Sequence, residues 1–390
     1  MSEDSILFSF FLIFSGAALI ATAALFARQA LLVAYIALGV LLGPFGLELI
    51  TDAALIADFA KVGIIFLLFL LGLNLEPREL IQLFREATLV TALSSGAFGA
   101  VGFAIGLAFG FNTVDSLLIG AAMMFSSTII GLKLLPTSAL HHQRMGEVIV
   151  SILLLQDIVA VLILLLLQGL GKSSAEPWRD IVFLLVALPF LIAFALGVSK
   201  YVLHRLFMSF DAIKEYIFLL TIGWCLGVAE LAHLLGLSHE IGAFIAGVSL
   251  ATNPICRYIA ESLKPLRDFF LIMFFFALGA GFDLDALNAV FVPAVVLAAA
   301  ALLGKPVVFR YVLKIGREKD KLAGEIGVRL GQISEFSLLI AVVATQASVL
   351  SSNASSTIQT AAILSFVVSS YWIVFKYPTP IAVDDKLRRD

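Results

Sequence analysis

One carboxylate lies in the middle of a long apolar stretch of this sequence. Asp157 follows Gln156, and the flanking segments 151–155 and 158–164 are almost entirely aliphatic. An ionised carboxylate in such surroundings costs several kcal/mol and is tolerated only beside a partner or a water-filled cavity. A buried carboxyl group that holds either a proton or a cation, but not both, is a minimal exchange site, and Gln156 adds a neutral carbonyl oxygen as a ligand. The alternative is a carboxylate that is hydrogen-bonded structurally to a neighbouring helix.

Further candidate ligands lie in a polar interruption of another apolar segment. The interruption consists of Ser126, Ser127 and Thr128, and the segment ends at Pro136. Serine and threonine side chains compete with the backbone for hydrogen bonds and so favour a break in a helix. We therefore predict a discontinuous helix here, with these three residues, Gln156 and Asp157 binding a cation and protons.

A second polar interruption occupies the corresponding place in a later apolar segment. It reads Gly331-Gln-Ile-Ser-Glu-Phe, and its polar members are Gln332, Ser334 and Glu335. Two broken helices that cross would direct freed carbonyls and hydroxyls at a cation and set their opposed ends against each other. A packing interface lined by hydroxyl groups is the alternative, since such interfaces are common in membranes.

Lys305 is the other ionisable residue well inside a predicted helix, and Pro306 after it would free a carbonyl one turn earlier. Lys305 could neutralise Asp157 when no cation is bound, or it could brace the broken helices; the sequence leaves both roles open. Glu335 and Arg329 could pair with each other or with other polar groups, and we favour a structural role for Arg329. We find no metal-ligand set, nucleophile triad or phosphate-binding loop, so we expect neither an enzyme nor a cofactor.

The composition indicates the environment of these residues. Of the 390 residues, 61% are hydrophobic and 14% are charged, and the mean hydropathy is +1.07. A soluble chain of this length needs far more charge to cover its surface. These values exclude a soluble enzyme and a nucleic-acid-binding protein, and they predict an all-α polytopic protein in a lipid bilayer.

Apolar runs of about 20 residues, the length that crosses a bilayer, recur along the whole chain. Lysine and arginine accumulate in the loops on the C-terminal side, and loops rich in these residues stay in the cytoplasm. We therefore expect the N-terminus outside and the C-terminus inside. About thirteen helices are predicted, near 5–26, 30–42, 55–73, 87–110, 114–135, 147–169, 180–203, 214–236, 240–251, 266–281, 287–314, 322–349 and 355–376.

Two stretches of the first half recur in the second half. The stretch that begins at Tyr35 is echoed from Phe244, and the one that begins at Phe66 is echoed from Leu271, at offsets of about 205–210 residues. Six helices repeated after one linking helix place the second copy upside down, which is the plan of many secondary transporters. The predicted organisation is a transmembrane domain over 1–376, made of a first repeat (1–169), a linking helix (170–206) and an inverted second repeat (207–376), followed by a basic cytoplasmic tail (377–390).

Five short motifs occur in order along the chain: Gly39-Val-Leu-Leu-Gly-Pro, Ser126-Ser-Thr-Ile, Leu155-Gln-Asp-Ile, Phe244-Ile-Ala-Gly-Val and Gly331-Gln-Ile-Ser-Glu-Phe. Together they resemble the membrane domain of the monovalent cation:proton antiporter superfamily, in particular its Kef-type potassium/proton group. The resemblance implies a thirteen-helix fold with crossed broken helices, a dimerisation domain and a mobile core, and it implies that Asp157 binds the ion and the proton. Sodium-type members usually carry Asn-Asp or Asp-Asp where this chain has Gln156-Asp157, and the Gln-Asp pair is similar to that of potassium-transporting members.

The resemblance also sets the functional expectations. We expect a homodimeric K⁺/H⁺ antiporter that works by alternating access in the bacterial inner membrane. Glutathione-gated Kef systems continue into a nucleotide-binding regulatory domain; we expect none within this chain, so that such a domain would be separate or missing. The alternatives are Na⁺/H⁺ exchange by the same machinery, a gated K⁺ efflux channel, and a ligand sensor that uses a transporter fold without transport.

Overall fold

The structure, a computed structural model, describes residues 3–27, 29–50, 52–73, 77–135, 144–170, 177–210, 213–237, 239–251, 253, 255–282 and 287–379. Residues 380–390, most of the predicted basic tail, lie outside this part. All regular elements within the described ranges are helices, as the composition predicts. The expectation of an all-α protein is therefore confirmed.

Two π-helical turns, Ser199–Leu203 and Ala300–Gly304, interrupt otherwise α-helical segments. The α-helices of the described residues are α1 (Glu3–Phe26), α2 (Leu31–Leu42), α3 (Ala53–Leu73), α4 (Pro77–Ala108), α5 (Thr113–Met124), α6 (Thr128–Lys133), α7 (Arg144–Leu170), α8 (Pro177–Val198), α9 (His204–Ser209), α10 (Lys214–Leu234), α11 (His239–Ala251), α12 (Cys256–Ser262), α13 (Lys264–Ala280), α14 (Leu287–Ala299), α15 (Lys305–Ile315), α16 (Asp320–Arg329), α17 (Glu335–Gln346) and α18 (Ser352–Lys376).

Apolar helices of membrane-crossing length dominate this set. Within the described residues, 7 helical stretches are long and apolar enough to cross a bilayer, and several shorter apolar helices accompany them. A stretch of about 20 such residues spans the hydrocarbon core. The chain is therefore a multi-pass integral membrane protein. The 7 candidate spans are Leu7–Phe26, Thr88–Ala108, Arg144–Leu164, Ala187–Ser209, Lys214–Leu234, Leu287–Ile315 and Ser352–Lys376.

The helices divide into two compact units, and each unit combines segments from both halves of the chain. The first unit comprises the described residues within Met1–Ala17, Tyr35–Ile81 and Lys172–Gly281. It includes most of α2, all of α3, and α8 to α13. The short helix α12 lies where the sequence predicts only a loop, because seven residues are too few to show a clear apolar periodicity.

Glycine allows a very close crossing of α2 and α13 in the first unit. A Cβ atom at Gly39 would lie 2.0 Å from the carbonyl oxygen of Phe276, and one at Gly279 would lie 2.0 Å from the carbonyl oxygen of Ile36. No larger residue fits at such distances without separating the helices. Small residues at such crossings are typical of helix packing in membranes.

A second crossing of the same kind joins α3 and α11. A Cβ atom at Gly72 would lie 2.3 Å from the carbonyl oxygen of Phe244, and one at Gly247 would lie 2.0 Å from that of Phe69. The helix α11 carries the echo of α2, and α13 carries the echo of α3. The crossing of α2 with α13 therefore pairs the first stretch with the echo of the second. The crossing of α3 with α11 pairs the second stretch with the echo of the first.

The second unit contains both broken helices. It comprises the described residues within Ala18–Ala34, Gln82–Gly171 and Phe282–Asp390. One break separates α5 from α6, and the other separates α16 from α17. The two discontinuities predicted from the polar interruptions are confirmed, and the candidate site residues all lie in this unit.

Candidate ion-binding site

The side chain of Gln156 spans the break between α5 and α6. At Phe125 the backbone turns extended, with φ −97° and ψ 148°. The Ser126 backbone N–H donates to Oε1 of Gln156 over 2.9 Å, and Nε2 of Gln156 donates to the Met124 carbonyl over 3.1 Å. A break leaves such backbone groups without helical partners, and an unpaired group in a bilayer is costly. The amide of Gln156 satisfies one donor and one acceptor, a contact that the sequence does not reveal.

Asp157, one residue further along α7, faces the first residue of α6. Its side chain is only 1% exposed. The hydroxyl of Thr128 lies 3.3 Å from each carboxylate oxygen and donates to them. Oγ of Ser127 caps the same helix by accepting from the Ile130 N–H over 3.1 Å. The structure thus brings Asp157, Thr128 and Ser127 together at the beginning of α6.

The two breaks contact each other directly. Oγ of Ser126 donates to the Leu330 carbonyl over 2.8 Å, and Nε2 of Gln332 lies 3.4 Å from the Ser127 carbonyl. The hydroxyl of Ser337, in α17, donates to a carbonyl of α5 over 2.5 Å. Freed carbonyls of each broken helix therefore accept hydrogen bonds from side chains of the other.

Lys305 joins the carbonyls of both breaks. It follows directly on the π-helical turn Ala300–Gly304, a distortion that frequently occurs at functional sites. Its fully buried ammonium donates to the Phe125 carbonyl over 2.5 Å and to the Gln332 carbonyl over 3.0 Å, and it lies 5.2 Å from the centre of the Phe98 ring. Of the two roles that the sequence leaves open, these hydrogen bonds correspond to the brace.

The second break is held from α18. Ser334 caps α17 by accepting from the Phe336 N–H over 3.1 Å. From α18, Oγ of Ser365 accepts from the Ile333 N–H over 3.0 Å, and Oγ of Ser369 donates to Oε1 of Gln332 over 3.0 Å. The sequence analysis missed the two serines of α18. Their spacing of one helical turn within an apolar segment is the signal that could have indicated them.

Arg329, at the end of α16, lies in a buried network of hydrogen bonds. Its guanidinium is 1% exposed and donates twice to Oε1 of Glu325, over 3.0 and 2.9 Å. It also donates to the carbonyls of Leu134 (2.9 Å) and Pro378 (2.8 Å). Of the two pairings considered from the sequence, that with other polar groups is observed. Glu335 lies half-buried in the first turn of α17.

A comparison with known protein families identifies the family of this chain. The family profile described as "Sodium/hydrogen exchanger, transmembrane" matches residues 11–376, nearly the whole chain. The chain belongs to this family. Its membership confirms the resemblance to cation:proton antiporters that the motifs indicated.

Curated relatives of this sodium/hydrogen exchanger homologue include transporters from several bacteria. The "Iron transporter MagA" of Paramagnetospirillum magneticum is 28% identical over 352 residues, which cover 89% of this chain and 80% of that protein. The "Glutathione-regulated potassium-efflux system protein KefC" of Cronobacter sakazakii is 31% identical over 346 residues, covering 87% of this chain and 55% of that protein. KefC of Escherichia coli O45:K1 is 30% identical over 324 residues. The chain spans about half the length of these KefC relatives, since it covers 55% and 52% of them.

Solved structures show the same fold. The sodium proton antiporter MjNhaP1 of Methanocaldococcus jannaschii matches with a TM-score of 0.70 and 18% identity, covering 94% of this chain and 96% of that one. A second structure of MjNhaP1 matches with a TM-score of 0.68 and 17% identity. At this identity the likeness concerns the architecture alone.

Proposed function

We propose that this cation/proton antiporter exchanges K⁺ for H⁺ by alternating access, with Asp157 as the carboxylate for which the two ions compete. The observation that carries the proposal is the position of Asp157: a fully enclosed carboxylate beside Thr128, at the break of α5 and α6. A buried charge of this kind requires a partner. In the proposed cycle the partner is a proton in one state and a cation in the other.

The residues around Asp157 supply the remaining oxygens. The hydroxyl of Thr128 already faces the carboxylate, and Ser126 and Ser127 contribute hydroxyls and carbonyls in the same extended segment. The backbone of this segment is held by hydrogen bonds from Gln156 of α7 and from Gln332 of the second break. A cation at Asp157 would therefore meet a prearranged set of oxygen ligands, with no cofactor required.

Competition at one carboxylate couples the two fluxes. A protonated Asp157 has no charge with which to attract a cation, and a cation beside the ionised form excludes the proton. A net exchange follows when the site opens to one side with the proton and to the other with the cation. Because the coupling needs only one titrating group, Lys305 can remain a brace throughout the cycle.

Two observations favour K⁺ as the cation. The pair Gln156-Asp157 is similar to that of potassium-transporting members, and the KefC relatives are named for potassium efflux. In our proposal Gln156 fixes the break through its hydrogen bonds with Ser126 and Met124. Na⁺/H⁺ exchange by the same machinery is the second candidate, because the family description and MjNhaP1 are named for sodium.

We also propose two inverted repeats, a membrane orientation and a homodimer. The reciprocal glycine crossings of α2 with α13 and α3 with α11 support two inverted repeats. The proposed orientation, with the N-terminus outside and the C-terminus inside, rests on the lysines and arginines of the loops. A homodimer in the bacterial inner membrane is proposed from the resemblance to Kef-type antiporters alone, and the matched part covers about half of the KefC relatives.

The test is proton flux in proteoliposomes that carry a pH gradient, with K⁺, Na⁺ and Li⁺ added in turn. We expect K⁺ to dissipate the gradient and Asp157→Asn to abolish this exchange while leaving the protein folded, because the amide cannot bind a proton or balance a cation. Asp115→Asn serves as the control, since Asp115 is equally buried but bonds to the Asn112 side chain and the Ser351 N–H.

Each other outcome selects a different function. Equal or better exchange with Na⁺ would replace potassium by sodium in the proposal. Cation movement without proton movement would indicate a channel, and exchange that survives Asp157→Asn would refute the single-carboxylate mechanism. Cation binding without flux of either ion would indicate a sensor.

A further inference from the structure

The helix α18 presents two buried hydroxyls to the second break. Ser365 and Ser369 lie one turn apart, and both are essentially inaccessible. Oγ of Ser365 accepts from the Ile333 N–H and itself donates to the Ala362 carbonyl over 2.8 Å. It therefore satisfies a backbone donor that the break leaves free. Ser369 contacts a side chain instead, which gives it a different role.

The contact of Ser369 fixes the orientation of the Gln332 amide. A main-chain carbonyl only accepts hydrogen bonds, so the amide nitrogen of Gln332 must face the carbonyl of Ser127. The amide oxygen then points to α18, where Oγ of Ser369 donates to it over 3.0 Å. Gln332 is fully buried, so without this hydroxyl its oxygen would be left unsatisfied and the amide would be free to rotate.

Gln332 in turn acts on the segment that contains the candidate ligands. The Ser127 carbonyl that it contacts belongs to the residue that caps α6, and the next residue, Thr128, donates to Asp157. The main-chain carbonyl of Gln332 also receives the ammonium of Lys305. A rotation of the amide would therefore release one of the hydrogen bonds that place the oxygens of residues 126–128.

We propose that Ser369 is a positioning residue of the ion site, which acts through Gln332 on the Ser127 carbonyl and sets the affinity for the transported cation. The inference rests on the proposed function in one respect, since it assumes that a cation binds at Asp157. Oγ of Ser369 bonds to Gln332 and not to Asp157. Its loss therefore alters how well the cation is bound and leaves the maximal rate unchanged.

The experiment compares Ser369→Ala with Ser370→Ala in proteoliposomes. Ser370 is the matched control, because it is the next residue of α18, is fully buried, and its Oγ has no hydrogen-bond partner within the described residues. The initial rate of pH-gradient dissipation is measured against K⁺ and Na⁺ concentration. We expect Ser369→Ala to raise the KM for the transported cation about three- to tenfold, the effect of one neutral hydrogen bond, at an unchanged maximal rate.

Two further variants test whether the hydroxyl of Ser369 or its volume is responsible for the effect on KM. Ser369→Thr keeps the hydroxyl and is expected to restore the KM, whereas Ser369→Cys keeps the volume with a weak donor and is expected to behave like Ser369→Ala. A KM for Ser369→Ala equal to that of Ser370→Ala would overturn the inference. So would a fall in the maximal rate with the KM unchanged, because a purely structural defect acts in that way.

The failure of this inference and that of the proposed function are distinguishable. If the wild type exchanges Na⁺ instead of K⁺, the potassium proposal fails, and the KM for Na⁺ still tests Ser369. The rise in melting temperature caused by K⁺ or Na⁺ is measured in parallel on the detergent-solubilised protein, so the comparison of Ser369→Ala with Ser370→Ala does not depend on transport. A wild type that neither moves nor binds a cation would overturn both proposals.

Discussion

The ammonium group of Lys305 donates a hydrogen bond to the main-chain carbonyl of Phe125 over 2.5 Å, although the two residues are 180 positions apart. A second hydrogen bond, of 3.0 Å, joins the same ammonium to the carbonyl of Gln332. These carbonyls belong to different broken helices. One side chain therefore connects the two breaks around which the candidate site is built.

Replacing Lys305 should loosen both breaks at once. Lys305→Met keeps the length of the side chain but leaves the carbonyls of Phe125 and Gln332 without their donor, at about 1–3 kcal/mol for each unsatisfied acceptor. We expect a lower melting temperature in detergent. Lys314→Met is the control, because Lys314 lies on the same helix, α15, with its side chain 53% exposed. Equal melting temperatures for the two variants would contradict the role of Lys305 as a brace.

Gln156 should be needed for its shape and not only for its polarity. Gln156→Leu removes the partner of the Ser126 N–H and of the Met124 carbonyl, and we expect cation-driven proton flux to fall about tenfold or more, the factor for about 1.4 kcal/mol. Gln156→Asn is one methylene shorter and cannot reach both groups, so it should be impaired too. Ser151→Ala, on the same helix, is the control, since its hydroxyl only bonds the carbonyl four residues earlier. Normal flux in Gln156→Asn would show that the span across the break is unimportant.

Proton and cation should compete in the kinetics. Because both occupy Asp157 in the proposed mechanism, lowering the pH should raise the KM for the cation, by up to about tenfold per pH unit when one proton is displaced per cation. The maximal rate at saturating cation should change much less. Initial rates over a grid of pH and cation concentration provide the measurement. A KM that is independent of pH would argue for separate proton and cation sites.

Arg329 should matter for stability far more than an exposed arginine. Arg329→Met leaves the largely buried carboxylate of Glu325 without its partner, and removing one member of a buried pair costs about 3–5 kcal/mol. Arg310→Met is the comparison, because Arg310 pairs with Asp320 on an exposed surface and such pairs contribute little. In thermal unfolding in detergent, we expect a clearly lower melting temperature for Arg329→Met than for Arg310→Met. Similar curves would show that the buried network around Arg329 is dispensable.

The close helix crossings of the first unit should not tolerate replacement of glycine by alanine, which adds a single methyl group. Gly39→Ala and Gly247→Ala each place a Cβ atom 2.0 Å from a carbonyl oxygen, so we expect a loss of about 1–3 kcal/mol or more from forced helix separation. At Gly223, in α10, a Cβ would meet nothing within 4 Å. Gly223→Ala should therefore be neutral or stabilising by up to about 1 kcal/mol, the difference in helix propensity. The yield of folded protein and its melting temperature measure the contrast. Tolerance of alanine at both crossings would refute the close approach.

The sequence by itself determined the class of protein and indicated the centre of the candidate site. A carboxylate between aliphatic segments is so costly in a bilayer that Asp157 could be singled out without a structure. The hydroxyl and amide residues at 126–128 and 331–336 likewise indicated the two breaks, because such side chains compete with helical hydrogen bonds wherever they occur. Apolar length and composition are local properties, and they are enough to predict helices in a membrane.

Only the tertiary structure decided which polar groups meet. The partners of Gln156 lie about 30 residues away, those of Lys305 on both broken helices, and Ser369 was absent from every sequence argument. A freed carbonyl can be satisfied by any donor within reach, and the sequence does not say which one the packing brings near. The hydrogen bonds of Lys305 therefore depend on the crossing of the helices, which the sequence does not specify. For the same reason, the sequence does not show that Arg329 bonds to Glu325 and to two carbonyls from distant parts of the chain.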